Sequence, residues 1–426
     1  MRAVSASHFG PTSRAAAAKA LPGVAEANQD NEEFVIVGVP KEIFPGERRV
    51  ALVPAVLLNL KKVGLEVVIE SGAGVEAGYP DALYVEKGAK VAPDRKTVFA
   101  TADIITQVLC YGANDSTGKA DIPLLRREQA LIGFLRPLGS REVLQEIAAT
   151  GVKAFSVELM PRTTRAQSMD ALSSMATACG YKAVLEAADT LPRFYPMLTT
   201  AAGTITPARV LIVGVGVAGL QAIATARRLG AVVSAYDLRP VVKEQVQSLG
   251  ARFVELPIEA ENAQDARGYG TAQNEAFYAK QRELMARVVA ENDVVITTAV
   301  VPGKKAPVLI TAEMVKGMQP GSVIVDLAAD RGGNCELTKP KETIVAHGVT
   351  IIGTINLASS LPHDTSSLYA RNLTAFLQHL VKDGKLNLDM SDEITRETLL
   401  TQGGEIVQPR VREFFSLPAL AAPVKA

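Results

Sequence analysis

The sequence predicts an α/β protein of two Rossmann-like domains, each built on a parallel sheet, with a cleft between them. Three observations carry that expectation. Short apolar runs alternate with helical stretches from Phe34 to Val157, the rhythm of parallel strands joined by helical crossovers. The same rhythm restarts at Arg209 and continues to Ile352. A chain of 426 residues also exceeds what one hydrophobic core usually organises.

The first series opens with Phe34-Val-Ile-Val-Gly-Val-Pro40, an apolar run suited to a strand covered on both faces. Val56 to Val63 carries its apolar residues on one face of a helix, and strands follow at Glu66 to Ile69, Asp103 to Leu109, Ala130 to Leu135 and Lys153 to Val157. The polar segment Arg162 to Asp170 breaks the pattern as a loop, after which Ala171 to Leu191 has the alanine content of a long helix. The second series begins with Arg209-Val-Leu-Ile-Val-Gly214 and adds strands near Ala231 to Tyr236, Arg252 to Glu255, Asp293 to Thr298, Ser322 to Asp326 and Val349 to Ile352.

Asp364 or Thr365 is placed to cap a helix from Ser366 to Val381, on which Tyr369, Leu373, Phe376, Leu377 and Leu380 form an apolar stripe. That stripe predicts a late helix returning to the first unit. The expected division is a first domain at 34–170 completed by 361–415, a Rossmann domain at 171–360, and a tail at 416–426. Residues 1–33 hold scattered Arg and Lys among Ala and Ser, with Glu26 as the first acid. They read as a targeting segment, a disordered extension or a misplaced start, and are set aside from the fold.

Composition narrows the function classes. Lys+Arg 45 balance Asp+Glu 45, which leaves no excess of positive charge to gather a polyphosphate, so no nucleic-acid partner is expected. Cys110, Cys179 and Cys335 form no CxxC pair, and His8, His347, His363 and His379 have no metal-ligand spacing, so no metal is expected. The longest apolar stretch, Val210 to Ala226, falls short of the roughly 20 residues that a membrane span requires.

The motif that carries chemistry is Gly214-Val-Gly216-Val-Ala-Gly219, which lies between an apolar strand and a helical run, Leu220 to Leu229. The first glycine permits the turn, the second lets a pyrophosphate approach the backbone, and the third lets helix pack on strand. The next strand ends in Asp237, positioned for an adenine-ribose hydroxyl pair. A carboxylate there repels a 2′-phosphate, so NAD(H) is favoured over NADP(H). Arg239, two residues on, is either a phosphate partner or an ordinary exposed cation.

Two further stretches invite function. Arg162, Gln167, Asp170 and Ser173 crowd the polar loop before the long helix, where they either form a site or solvate a surface. Gly268-Tyr269-Gly270 lies in the polar stretch Glu259 to Lys280, long for an α/β connection and either a lid or a surface insertion.

Six segments together resemble the NAD(H)-binding component of the proton-translocating nicotinamide nucleotide transhydrogenases, the leading portion of their alpha subunit, within the alanine dehydrogenase/transhydrogenase superfamily. They are Val39-Pro-Lys-Glu42, Glu47-Arg-Arg-Val-Ala-Leu52, Glu70-Ser-Gly-Ala-Gly74, Pro161 to Asp170, Gly214 to Gly219, and Val325 to Cys335. The resemblance spans about residues 34–415, and the loop with Arg162, Gln167 and Asp170 is its most specific element.

That resemblance implies an enzyme component that holds NADH for direct hydride transfer to NADP+ bound on a partner domain, coupled to proton movement through membrane subunits. It implies a homodimer that is peripheral on the cytoplasmic face of the inner membrane. Arg162, Gln167, Asp170 and Ser173 would hold the nicotinamide end and face the NADP(H) domain. Gly214, Gly216, Val217, Gly219, Asp237, Leu238 and Arg239 would meet the pyrophosphate and adenosine, Tyr269 would ride on a mobile loop, and Gln281, Thr298 and Val300 would line the rest.

The alternative is an alanine dehydrogenase-like amino-acid dehydrogenase; a silent NAD-binding protein is a third class. Arg49 and Asp330 match residues of the alanine dehydrogenases. Gln107-Val-Leu-Cys-Tyr111, however, has no lysine where those enzymes carry a catalytic one. Leu135-Arg136-Pro137 places an arginine, which cannot shuttle a proton near neutral pH, where they carry a histidine.

Overall fold

The computed structural model describes residues 34–257, 273–382, 384–418 and 420. The extension at 1–33 and the loop around Tyr269 lie outside these residues.

The first half of the chain lays down six parallel strands: β1 Val35–Val39, β2 Leu65–Glu70, β3 Lys90–Ala92, β4 Ile104–Leu109, β5 Ala130–Phe134 and β6 Lys153–Ser156. Helices α1 Leu57–Lys61, α2 Asp81–Glu86, α3 Arg95–Thr101 and α4 Arg141–Ala149 make the crossovers. The helix expected over Val56 to Val63 is shorter than that stretch, because Pro54 starts a 3-10 turn at Pro54–Val56 and Gly64, at φ 77°, ends the element.

A register shift between Thr106 and Leu109 disturbs the β4–β5 ladder. The N–H groups of Val108 and Leu109 donate to the buried Glu42 carboxyl at 2.6 and 3.2 Å, so an acid inside the core satisfies donors that the irregularity frees.

The segment Arg162 to Asp170 contains one 3-10 turn, Thr164–Met169, and leads into α5, Ala171–Thr190. This helix joins the two halves. Ala171, Met175 and Ala178 pack in the core of the first sheet, whereas Ala183, Val184 and Ala187 pack in that of the second. A short hairpin, β7 Leu198–Thr200 with β8 Gly203–Ile205, follows with exposed faces.

The second sheet contains β9 Arg209–Val213, β10 Val232–Tyr236, β11 Arg252–Phe253, β12 Val294–Thr297, β13 Val323–Asp326, β14 Thr343–Ala346 and β15 Val349–Ile352. Its order is β11-β10-β9-β12-β13-β15-β14. Strand order therefore reverses between β9 and β12, the place where doubly wound sheets open a ligand crevice. Helices α6 Val217–Arg228, α7 Lys243–Ser248, α8 Glu275–Ala290 and α9 Ala312–Lys316 complete this unit.

Helix α10, Pro362–Leu380, returns to the first sheet and buries Tyr369, Leu373, Phe376, Leu377 and Leu380 in its core. It begins before the expected Ser366, and neither Asp364 nor Thr365 caps it. Pro362 sits in its first turn, where its fixed φ suits the helix, and the Thr365 hydroxyl bonds the carbonyls of Ala358 and Leu361.

After the small hairpin β16 Val381–Lys382 and β17 Lys385–Leu386 come α11 Glu393–Thr398, β18 Leu399–Gln402, β19 Glu405–Ile406 and α12 Pro409–Phe414. β18 adds antiparallel to β6, giving an eight-stranded sheet in the order β19-β18-β6-β5-β4-β1-β2-β3. The two sheets are thus parallel with antiparallel edges, since β14 also runs against β15. No helix among the described residues is long and apolar enough to cross a membrane.

Candidate functional site

The carboxyl ends of both sheets border a cleft of about 760 Å³. Leu109, Phe134 and Glu158 reach it from the first sheet, and Val213, Tyr236 and Thr298 from the second. Strand burial positions all of these groups, because β4, β5, β9, β10 and β12 are packed into the core along most of their length.

Gly214 ends β9 at φ 96°, and a Cβ there would stand 2.7 Å from the Thr298 hydroxyl. Gly219 lies one turn into α6, where a Cβ would stand 2.0 Å from the Gly214 carbonyl oxygen, so only glycine lets this helix approach its strand. Gly216 is different: a Cβ there would meet nothing within 4 Å, and the residue faces the cleft. The open space beside the α6 N-terminus is what a bound pyrophosphate requires. Val217 lines the cleft next to it.

Asp237 follows β10 and accepts the Val215 N–H at 2.7 Å and the Arg239 N–H at 2.8 Å. The Arg239 guanidinium also grips it, Nε and Nη2 each at 2.8 Å, and the bond to Asp237 strengthens the arginine's hold on its proton against partial burial. The pair lies at the cleft edge with Leu238. Arg239 is therefore neither a loose surface cation nor a phosphate site standing alone; its charge is matched by Asp237.

Gln281, on α8, is buried in the cleft wall. Its Nε2 donates to the Tyr236 hydroxyl at 2.7 Å, while Oε1 has no hydrogen-bond partner among the described residues. An orphaned buried acceptor at the cleft surface matches a ligand that donates a hydrogen bond. A ring amine or a ribose hydroxyl has that chemistry, so the open glycine turn, the carboxylate and this amide together fit a dinucleotide.

Thr298 closes the floor by donating to the Gly214 carbonyl at 2.9 Å. Beyond it, Val300 lines the cleft in a loop fastened by Asn334, whose side chain accepts the Ala299 N–H and donates to the carbonyls of Ala299 and Pro307 at 2.8 and 2.9 Å. Asp326 in turn accepts from Thr297, Ala328, Asn334, Cys335 and Thr338. Both side chains are fully buried and hold the site from behind.

The polar loop divides. Arg162 and Ser173 line the cleft; Gln167 and Asp170 do not. Asp170 instead caps α5, accepting the Ser173 N–H at 2.9 Å and its hydroxyl at 2.5 Å, while Gln167 is exposed on the 3-10 turn. Asp170 thus fixes Ser173 at the cleft through the helix start.

On the first-domain wall, the half-buried Glu158 accepts the N–H groups of Leu135 and Arg136 at 3.0 and 2.8 Å and the Ser156 hydroxyl at 2.6 Å, and desolvation pushes its carboxyl up. This grip holds Arg136 in the left-handed region at φ 49° with its side chain at the cleft. Asp330, Lys304, Lys305, Arg331 and Arg410 also border the cleft. Among the described lining residues the cations Arg136, Arg162, Arg239, Lys304, Lys305, Arg331 and Arg410 outnumber the anions Glu158, Asp237 and Asp330, which gives a positive field suited to a diphosphate. Sequence reading missed the lysine pair and Arg410, whose places depend on loops meeting across the cleft.

Arg49 lies elsewhere. It is 3% exposed, pairs with Glu47 through Nε at 2.7 Å and Nη2 at 2.6 Å, and donates to the Asn356 carboxamide oxygen at 2.8 Å. Burial works against both charges, but the mutual attraction prevails, lowering the Glu47 carboxyl and raising the Arg49 guanidinium. The fork that an amino-acid carboxylate would need is thus already engaged. Gln107 is also buried, bonded through Nε2 to Asp121 at 3.0 Å.

Residues 38–179 match the alanine dehydrogenase/PNT N-terminal domain, and residues 183–409 match the alanine dehydrogenase/PNT C-terminal domain. The chain belongs to the alanine dehydrogenase/PNT family. Within it, the first of the segments that make up the NAD(P) transhydrogenase alpha subunit of Rhodospirillum rubrum is 45% identical, over 88% of this chain and 98% of that protein. The crystal structure of transhydrogenase from Sinorhizobium meliloti superposes with a TM-score of 0.75 at 42% identity, covering 88% of this chain and 99% of the other. The alanine dehydrogenase of Bacillus subtilis is more distant at 29% identity, over 88% of this chain and 94% of its own length. The two-domain α/β architecture is therefore the family's.

Proposed function

We propose that this chain is the NAD(H)-binding component of a proton-translocating NAD(P) transhydrogenase and positions NADH for direct hydride transfer to NADP+ bound on a partner domain. The observation that carries this reading is the combination within one cleft of an open glycine turn followed by Asp237 and a first-domain wall on which, among the described lining residues, Arg136 stands and neither a histidine nor a lysine does. Arg136 lines the cleft at the position where the resemblance puts the histidine of the alanine dehydrogenases, and Arg49 is committed to Glu47. Similarity to relatives named transhydrogenase alpha subunits supports the same reading.

Bound nicotinamide supplies the hydride, so the side chains have to bind, orient and exclude water. Gly214, Gly216, Val217 and Gly219 would accept the pyrophosphate at the start of α6. Asp237 would exchange some of its bonding to Arg239 and Val215 for ribose hydroxyls, with Leu238 beside it. Gln281 would take a donor from the nucleotide, with Thr298 and Val300 completing the floor. Arg162 and Ser173 would face the nicotinamide, and Gln167 and Asp170 would set the loop that presents it to the NADP(H) domain. Tyr269 is assigned to a closing loop by resemblance alone.

On this reading residues 34–170 with 361–415 form one domain and 171–360 the other. A homodimer belongs to the proposal, supported by the exposed hairpin β7–β8, which carries the exposed Ile205 and has the exposed Phe194 and Met197 before it. Partner membrane subunits and a peripheral position on the cytoplasmic face of the inner membrane belong to it also.

The test is reduction of acetylpyridine adenine dinucleotide by NADH with the purified chain, with and without an NADP(H)-loaded transhydrogenase domain, beside an L-alanine plus NAD control. Transfer that requires the partner is the expected result. Alanine-dependent NAD reduction without it would replace this reading by the amino-acid dehydrogenase one.

A further inference from the structure

The loop between the two domains is tied down from a direction that the cleft does not reveal. Arg165 sits inside the 3-10 turn Thr164–Met169, and its Nη2 lies 2.5 Å from Oδ2 of Asp392. Asp392 is the N-cap of α11, where its other oxygen accepts the N–H groups of Ile394 and Thr395 at 2.9 and 3.2 Å. That oxygen also lies 3.1 Å from Nε2 of His379 on α10. A second tie is close by: the Asn372 amide of α10 donates to the Ser168 carbonyl at 2.8 Å.

Both anchoring helices belong to the first-domain core, with Tyr369, Phe376 and Ile394 buried in it. The Asp392 side chain is only 13% exposed, against 58% for Arg165. The carboxylate is therefore fixed by its cap before the arginine reaches it, and the loop side chain is the element that gains order.

We propose that Arg165 and Asp392 form a positioning pair that sets the loop Arg162–Asp170 relative to the cleft, and so sets the approach of the nicotinamide to its acceptor. This inference rests on the transhydrogenase reading above. The ends of the loop define what the pair controls: Arg162 enters the cleft, and Asp170 starts the helix that presents Ser173. A point fixed between them limits how far either end moves. Hydride transfer between two bound rings tolerates little displacement, and about 1 Å of misplacement can cost up to a hundredfold in rate. Nucleotide affinity depends on groups elsewhere in the cleft, the glycine turn and Asp237, which this pair does not touch.

Loss of the pair thus separates rate from affinity. Asp392→Asn keeps an oxygen for capping α11 but removes the charge, and Arg165→Met removes the cation while keeping the length of the side chain. With the full chain and an NADP(H)-loaded partner domain, each variant should slow NADH-dependent reduction of acetylpyridine adenine dinucleotide by about 10- to 100-fold. NADH dissociation constants should stay within about twofold and melting temperatures unchanged. The double variant should be no slower than the worse single one, because both remove the same link, and Arg165→Lys should recover some of the rate.

Variants that transfer at the parental rate would overturn the positioning role, as would a loss of NADH affinity and melting temperature in step with rate. A parental chain that binds NADH but transfers nothing with the partner would instead remove the transhydrogenase reading on which the pair's role depends.

Discussion

Nε and Nη2 of Arg239 each donate at 2.8 Å to the carboxylate of Asp237, two residues earlier in the chain. The same carboxylate takes the Val215 N–H inside the glycine turn. One acid therefore organises the turn and neutralises a cation, and on the proposed reading it is also the ribose acceptor. This links nucleotide choice to the conformation of the turn itself.

Asp237→Asn should weaken NADH binding by about tenfold or more, since a charged acceptor contributes roughly 1.5–3 kcal/mol. It should also narrow the gap between NADH and NADPH, because the negative charge that repels a 2′-phosphate is removed and Arg239 is released. Fluorescence titration with both nucleotides measures this; unchanged affinities for both contradict the ribose assignment.

The two glycines of the turn should respond oppositely. Gly216→Val projects into open cleft space and should abolish NADH binding with little change in melting temperature. Gly219→Ala would drive a methyl to within 2.0 Å of the Gly214 carbonyl oxygen and should destabilise the fold by about 1–3 kcal/mol. Calorimetry and binding on both variants decide the matter, and a strongly destabilised Gly216 variant would contradict the open site.

Gln167→Asn should leave NADH affinity nearly intact while slowing partner-dependent transfer. Its side chain lies on the exposed turn rather than in the cleft lining, so it bears on the geometry of the approach more than on ground-state binding. Stopped-flow transfer at the parental rate would refute a role for this residue.

Burial, reinforced by the nearby Glu47 charge, pushes the Glu42 carboxyl from its ordinary 4.5 up to about 8, despite the two backbone N–H groups it accepts. The folded chain then keeps a proton that the unfolded chain releases. The stabilisation is complete below the unfolded value and is lost as pH rises through the folded one. Between pH 5 and 8, unfolding free energy should therefore fall by up to about 1.4 kcal/mol per pH unit from this group. Glu42→Gln should lack that slope in urea titrations at several pH values; identical slopes in the two proteins would contradict it.

The central strands were legible because β9, β10 and β12 are buried on both faces and appear as continuous apolar runs. β14 and β19 were not, because short antiparallel edge strands leave no period to detect, and β18 was not, because its four residues, Leu399–Gln402, are too few to show one. Of the site, the glycine turn and Asp237 were readable as local sequence. Asp170 had a readable second role, an acid directly before an alanine-rich helix, and it is that cap which the structure uses. Asp326 and Asn334 were hidden because their partners run from Thr297 to Thr338 and meet only after folding. The link from Arg165 to Asp392 depends likewise on the C-terminal helices returning to the first sheet.

If this cleft holds NADH for direct transfer to a nucleotide on another domain, the hydride never exchanges with solvent. Deuterium can therefore be followed from NADH carrying deuterium at both C4 positions of the nicotinamide, in a mixture of this chain, an NADP+-loaded transhydrogenase domain and ordinary water. Direct transfer predicts one deuteron in every NADPH, formed only when both proteins are present. NADPH without the label, or no NADPH from a chain that binds NADH, would contradict it.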